Sequence, residues 1–153
     1  MRSVDIYLLR TSIGLAGAAH LSAEGRQLVR ALGHKLRQIE EPNVDRIVTC
    51  PAPASVQTAE LFAERIDYVG VIEVLPGLAG NVPPLVVAPL LLARGASVVV
   101  VAEEPTLSAL GAFLVGRPTF PPLEHAQVSL IRDRRPEWLL RPGDLARGLL
   151  LVS

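Results

Sequence analysis

Short apolar runs and longer amphipathic stretches take turns along this chain. Val4-Asp5-Ile6-Tyr7-Leu8-Leu9 is mostly apolar and ends in polar Arg10-Thr11-Ser12. It predicts a buried first strand that opens into a loop. Over residues 21–39, Leu28, Leu32, Leu36 and Ile39 recur at helical spacing. Ser22 is placed to cap this helix, and Pro42-Asn43 to end it. Residues 45–49 predict a second strand. A helix follows, begun by Pro51, with Val56, Ala59, Phe62, Ala63 and Ile66 on one face. Val71-Ile72-Glu73-Val74 predicts a third strand, closed by the turn signals Pro76-Gly77 and Gly80-Asn81.

In residues 82–94, Pro89 argues against a continuous helix. The pattern predicts a short helix after it, closed by Gly95. Residues 96–102 hold four consecutive valines and predict the most deeply buried strand. Pro105 opens a helix that Gly116 ends. Residues 128–131 and 138–140 predict a hairpin turning within 133–136. The apolar tail at 149–152 reads as a strand or an interface segment. This strand–helix order predicts an α/β fold: a largely parallel sheet with helices on both faces, as one domain over 1–153. Ligands of such sheets sit outside the carboxyl ends of the strands. Arg10-Thr11-Ser12, Cys50-Pro51 and Glu103-Glu104-Pro105 occupy those ends.

Composition narrows the picture. The 153 residues carry 15 basic and 15 acidic side chains. That balance argues against a broad grip on nucleic acid or on an anionic membrane. Half the residues are hydrophobic but only 4% aromatic, so the core must be aliphatic. Cys50 is the single cysteine, which fits a reducing, cytoplasmic setting. Arg10 breaks the first apolar run, so no secretory pattern is expected. Pro83, Pro84, Pro89, Arg94 and Gly95 divide the most apolar region, so no membrane span is expected. His20, His34 and His125 lack metal-ligand spacing, and neither metal nor cofactor is expected.

The strand ends also carry an ordered set of motifs. Leu8-Leu9-Arg10-Thr11-Ser12 comes first, then Leu21-Ser22-Ala23-Glu24-Gly25. Asp45-Arg46-Ile47-Val48-Thr49-Cys50-Pro51 runs on through Ala54 to Gln57-Thr58-Ala59. Ser97 to Val101 leads into Ala102-Glu103-Glu104-Pro105-Thr106-Leu107, and Trp138 to Gly143 closes the series. This series resembles the histidine phosphatase superfamily, in particular its short bacterial phosphohistidine phosphatase branch. The resemblance implies a phosphoglycerate-mutase-like, three-layer α/β/α sandwich. It also implies a site. The nucleophilic histidine of that family falls at Thr11, its phosphate-holding arginine at Ala54, and its second pocket histidine at Glu103. Arg10 alone keeps the family identity, and flanking glycines become Ser12 and Ala102.

These departures predict lost chemistry. An imidazole is nucleophilic near neutral pH, whereas a threonine hydroxyl needs a base. Phosphoryl transfer needs positive groups on the equatorial oxygens. Ala54 offers none, and Glu103 repels a phosphoryl dianion. The expectation is a catalytically inactive pseudophosphatase that serves as a binding or regulatory module. Its partner is an unidentified protein or small ligand, and homodimerisation is one such outcome. Mean hydropathy of +0.38 motivates a partner surface at Pro83 to Pro89, Pro118 to Pro122 or the tail. The alternative is an enzyme of altered or weak residual activity, with Glu103 or Glu104 as base and Arg10 as holder. A purely structural role is the third reading.

Candidate ligand contacts are Arg10, Ser12, Glu103, Glu104 and Thr106, set against plainer roles. Arg10 and Glu103 are expected to face one pocket and to pair, which also fits a neutralised relic. Thr106 and Ser108 lie in the first turn of a helix, where amides favour anions but capping is ordinary. Cys50 near a helix start is either reactive or a small buried residue. His34 should face solvent, and His125 should overhang the pocket.

Overall fold

A computed structural model describes residues 3–153. In chain order the elements are β1 (Asp5–Arg10), α1 (Ala23–Gln38), β2 (Arg46–Thr49), α2 (Pro53–Arg65), β3 (Ile72–Val74), a 3₁₀ turn (Pro76–Ala79), α3 (Pro84–Leu92), β4 (Ser97–Ala102), α4 (Thr106–Val115), β5 (Val128–Arg132), β6 (Arg135–Leu140) and β7 (Gly148–Leu149). One sheet holds all seven strands in the order β3-β2-β4-β1-β5-β6-β7. The first four of that order are parallel. The last three continue antiparallel from β1.

Strand alternation explains the three layers. Ile6 and Leu8 share one face with Val98 and Val100, and α3 and α4 cover it with Val87, Leu91, Leu107 and Leu110. Tyr7 and Leu9 share the other with Val99 and Val101, under Val29, Leu32 and Leu36 of α1 and Phe62 of α2. A strand apolar on both faces reads as an unbroken apolar run, as the valines of β4 do. No helix among the described residues is long and apolar enough to cross a membrane.

Helix starts and turns follow local chemistry. The Ser22 hydroxyl accepts the Gly25 amide at 2.9 Å and caps α1. A Cβ at Gly25 would lie 2.1 Å from the Ile13 carbonyl oxygen, so the motif glycine is a packing requirement. Asp133 and Arg134 both take positive φ, the geometry that matches a two-residue hairpin to strand twist. Gly148–Leu149 of the tail pairs with β6, and Leu150 is buried.

Three helix boundaries differ from expectation. Helix α2 begins at Pro53 rather than Pro51, because Pro53 takes the first helical position, where no amide is needed. Helix α3 does not begin after Pro89 but runs through it. Proline removes one helical bond, yet Val87, Ala88 and Leu91 are buried against the sheet. That burial outweighs the roughly 3 kcal/mol an interior proline costs. Ala93, not Gly95, closes α3. Gly95 instead takes φ +144° beside Asp45, whose carboxylate accepts the Ala96 and Ser97 amides at 2.8 and 3.0 Å.

The open edge is held by charge. Glu73 on β3 accepts Arg94 Nε at 2.9 Å and Nη2 at 2.7 Å, and Arg46 at 3.1 Å. The Arg94 hydrogen bonds hold its carboxyl below the usual carboxylate range. A depressed pKa contributes stability above the unfolded value and loses it as pH falls through the folded one. Glu73→Gln should therefore cost about 1 kcal/mol at neutral pH. Urea titrations should show that gap closing below about pH 4. Gly25→Ala tests packing against propensity. Alanine favours a helix by about 1 kcal/mol, but the clash with Ile13 should dominate and leave a net loss of about 2 kcal/mol by thermal or urea melting.

Candidate functional site

The carboxyl ends of β1, β4 and β2 lie side by side because their register is shared. Arg10 pairs with Ala102, and Thr49 with Val101. The ladder continues past the strands: Thr11 N donates to Ala102 O at 3.0 Å and Cys50 N to Val101 O at 2.9 Å. The first loop, the start of α2 and the start of α4 therefore meet at one rim.

Thr11 is buried at this rim. Its hydroxyl lies 2.6 Å from that of Ser55, which is fully buried in the first turn of α2. Thr11 Oγ1 also reaches Ala102 O at 3.3 Å. No carboxylate or imidazole nitrogen hydrogen-bonds this hydroxyl among the described residues. Ser55 belongs to none of the candidate site residues that the sequence suggests. The available signal was a small polar residue inside an apolar helix face, three residues before Thr58. Thr58 is also fully buried, donating to Ala54 O at 2.8 Å and accepting Ser12 N at 3.2 Å. Ala54 packs half-buried beside the α1 and α2 core and offers no side-chain donor.

The expected Arg10–Glu103 pair does not form. Arg10 Nη1 donates to Leu123 O at 2.9 Å, in the loop before β5. The same Leu123 gives its amide to Glu104, so this loop takes up Arg10 and Glu104 and leaves Glu103 out. Arg10 Nε is buried without a partner. Glu103 is exposed and makes no ion pair among the described residues. Glu103 borders a cavity of about 670 Å³ whose lining includes Cys50, Leu78, Val82, Val87 and Thr106, but not Arg10, Thr11 or Ser12.

Other candidates are occupied internally. Ser12 Oγ donates to Gly25 O at 2.8 Å, which leaves it no hydrogen for a ligand. Glu104 accepts the Ser108 amide at 2.8 Å and the Leu123 amide at 2.6 Å, one on each oxygen. Pro105 has no capping side chain, so Glu104 caps α4 in its place. Cys50 is buried. His34 is exposed, as its periodicity predicted. His125 does overhang the rim: its Nδ1 lies 3.0 Å from Thr11 O. A carbonyl only accepts, so Nδ1 carries the proton.

Solved proteins share this fold. A solved histidine phosphatase SixA complexed with tungstate superposes with TM-score 0.82 at 20% identity, covering 94% of this chain and 100% of its own. The chain carries the histidine phosphatase fold. A protein named SixA from Agrobacterium tumefaciens has the same fold at TM-score 0.71 and 18% identity, over 91% of this chain and 99% of its own. A mycobacterial glucosyl-3-phosphoglycerate phosphatase has it at 0.63 and 16%, over 86% and 91%. No family model matches the sequence, and no curated protein does.

Glu104 and Glu103 should separate by stability. Glu104→Ala removes two amide-to-carboxylate hydrogen bonds and should cost about 2 kcal/mol. Glu103→Ala should stay within about 0.5 kcal/mol of the parent. Urea unfolding of the two variants checks this, and equal losses would refute the capping role.

Proposed function

We propose that this protein is a catalytically inactive member of the histidine phosphatase fold that works as a binding or regulatory module. The observation that carries the reading is the buried Thr11–Ser55 hydroxyl pair at the position of the family's nucleophile. A hydroxyl without a base is a poor nucleophile toward phosphorus. Charge supports the same reading. Arg10 is the one pocket cation retained at the matched positions, and it is turned to Leu123 O. Ala54 supplies nothing to hold a phosphate. Both carboxylates offered as bases by the alternative reading fit it poorly. Glu104 is bound on both oxygens, and Glu103 borders a cavity that Arg10 does not line.

A surface for a partner has support in α3, which exposes Leu85, Val86 and Leu90. The stretch from Pro118 to Pro122 offers less, since Phe120 turns inward and its ring fills the space beside Gly111. A reducing, cytoplasmic setting fits the single buried thiol.

Hydrolysis of p-nitrophenyl phosphate tests the reading. The wild type should release no nitrophenol above buffer, and the triple change Thr11→His, Ala54→Arg, Glu103→His should gain turnover. Turnover by the wild type would overturn the proposal.

A further inference from the structure

The cavity beside Glu103 has a chemistry opposite to that of a phosphate site. It lies at the carboxyl ends of β2 and β4, between the 3₁₀ turn and the starts of α3 and α4. Its volume of about 670 Å³ suits a small organic molecule. Leu78, Val82, Val87 and Leu110 give it apolar walls, and neither lysine, arginine nor histidine lines it. The only charged lining residues are Glu103 and Glu104.

Those two carboxylates do different work. Glu104 is turned into the protein, where it caps α4 at Ser108 N and holds Leu123 N. The amide of Leu107 is taken by Glu103 O at 3.2 Å. The helix start therefore already carries an anion of its own and has few free donors for another. Glu103 is left exposed, with no ion pair among the described residues. A phosphate placed here meets two carboxylates and no cation, which is repulsive at short range. An apolar chain with a cationic head meets a favourable surface at both ends.

We propose that this cavity binds an organic ammonium with an apolar body, its ammonium group against Glu103 and its body along Leu78, Val82 and Val87. The proposal rests on reading the protein as a binding module and names the ligand class of that module. Thr106, half-buried on the same wall, is a hydroxyl within the lining for a polar substituent near the head.

Three probes with one chain and different heads test it: octylamine, octan-1-ol and octyl phosphate, titrated calorimetrically. Octylamine should bind about fivefold tighter than octanol, the scale of one partly exposed ion pair, and octyl phosphate should bind weakest. Glu103→Gln should bring octylamine down to octanol while leaving octanol unchanged. Ala109→Phe, at an exposed lining position, should weaken all three by filling the cavity. Equal binding of amine and alcohol, preference for the phosphate, no binding at all, or indifference to Ala109→Phe would each overturn the proposal. Nitrophenyl phosphate turnover is a separate readout, so failure here leaves the inactive-module reading standing or falling on its own assay.

Discussion

The parallel pairing of β1 with β4 is the constraint on which the rest of the molecule depends. Six register pairs, from Asp5 with Ser97 to Arg10 with Ala102, fix both strand ends at one height. Both strands are buried on both faces, so a slip of even one residue would turn each apolar side chain to the wrong layer. The rim is therefore placed by backbone hydrogen bonds and aliphatic packing. Neither depends on what the side chains just past the strands are. The side chains of Thr11, Ala54 and Glu103 take no part in that strand pairing.

Apart from Arg10 Nε, the buried hydroxyls and carboxylate at the rim obey a second rule, that buried polar groups must be paired. Leaving one unpaired costs about 1–3 kcal/mol. Thr11 finds Ser55, Ser12 finds Gly25 O, and Thr58 finds both Ala54 O and Ser12 N. These bonds tie the first loop to α1 and α2. Residues at the matched site positions thus hold neighbouring elements together. Glu104 does the same for α4 and the loop before β5. The far end of β1 has its own anchor: Arg132 grips Asp5 at 2.9 and 3.0 Å, and the buried Tyr7 hydroxyl donates to Glu41. Burial there pushes the Tyr7 hydroxyl far above its ordinary range, so it stays a donor.

Helix α3 departs most from the amphipathic rule. It carries no charged residue, buries Val87, Ala88 and Leu91, and still exposes Leu85, Val86 and Leu90. A helix apolar on every side normally sits deep in a structure. Here it sits outside, tethered at its end by Arg94 to Glu73 and to Leu90 O. Its first residues also wall the cavity beside Glu103. Ligand space and exposed apolar surface thus share one short segment.

The fold was largely written in the sequence. Valine-rich strands, Ser22 as a cap and the ordered motifs at strand ends are local signals with one physical meaning each. The pairing of those signals into layers follows from burying apolar faces. Three things were not legible. Pro89 argued locally for a break, and only burial of Val87 and Leu91 against the sheet reversed it. Arg10 and Glu103 looked like partners because both sit at the ends of adjacent strands. A side chain's direction, however, depends on what stands beyond the strand end, and for Arg10 that was Leu123 O, from a loop over a hundred residues away in sequence. Ser55 was silent because a hydroxyl in a helix's first turn has many ordinary uses. Local sequence determined which segments are strands and helices, since hydrogen bonding and burial act over a few residues. Tertiary structure decided which polar group meets which, because each such contact joins residues distant in the chain.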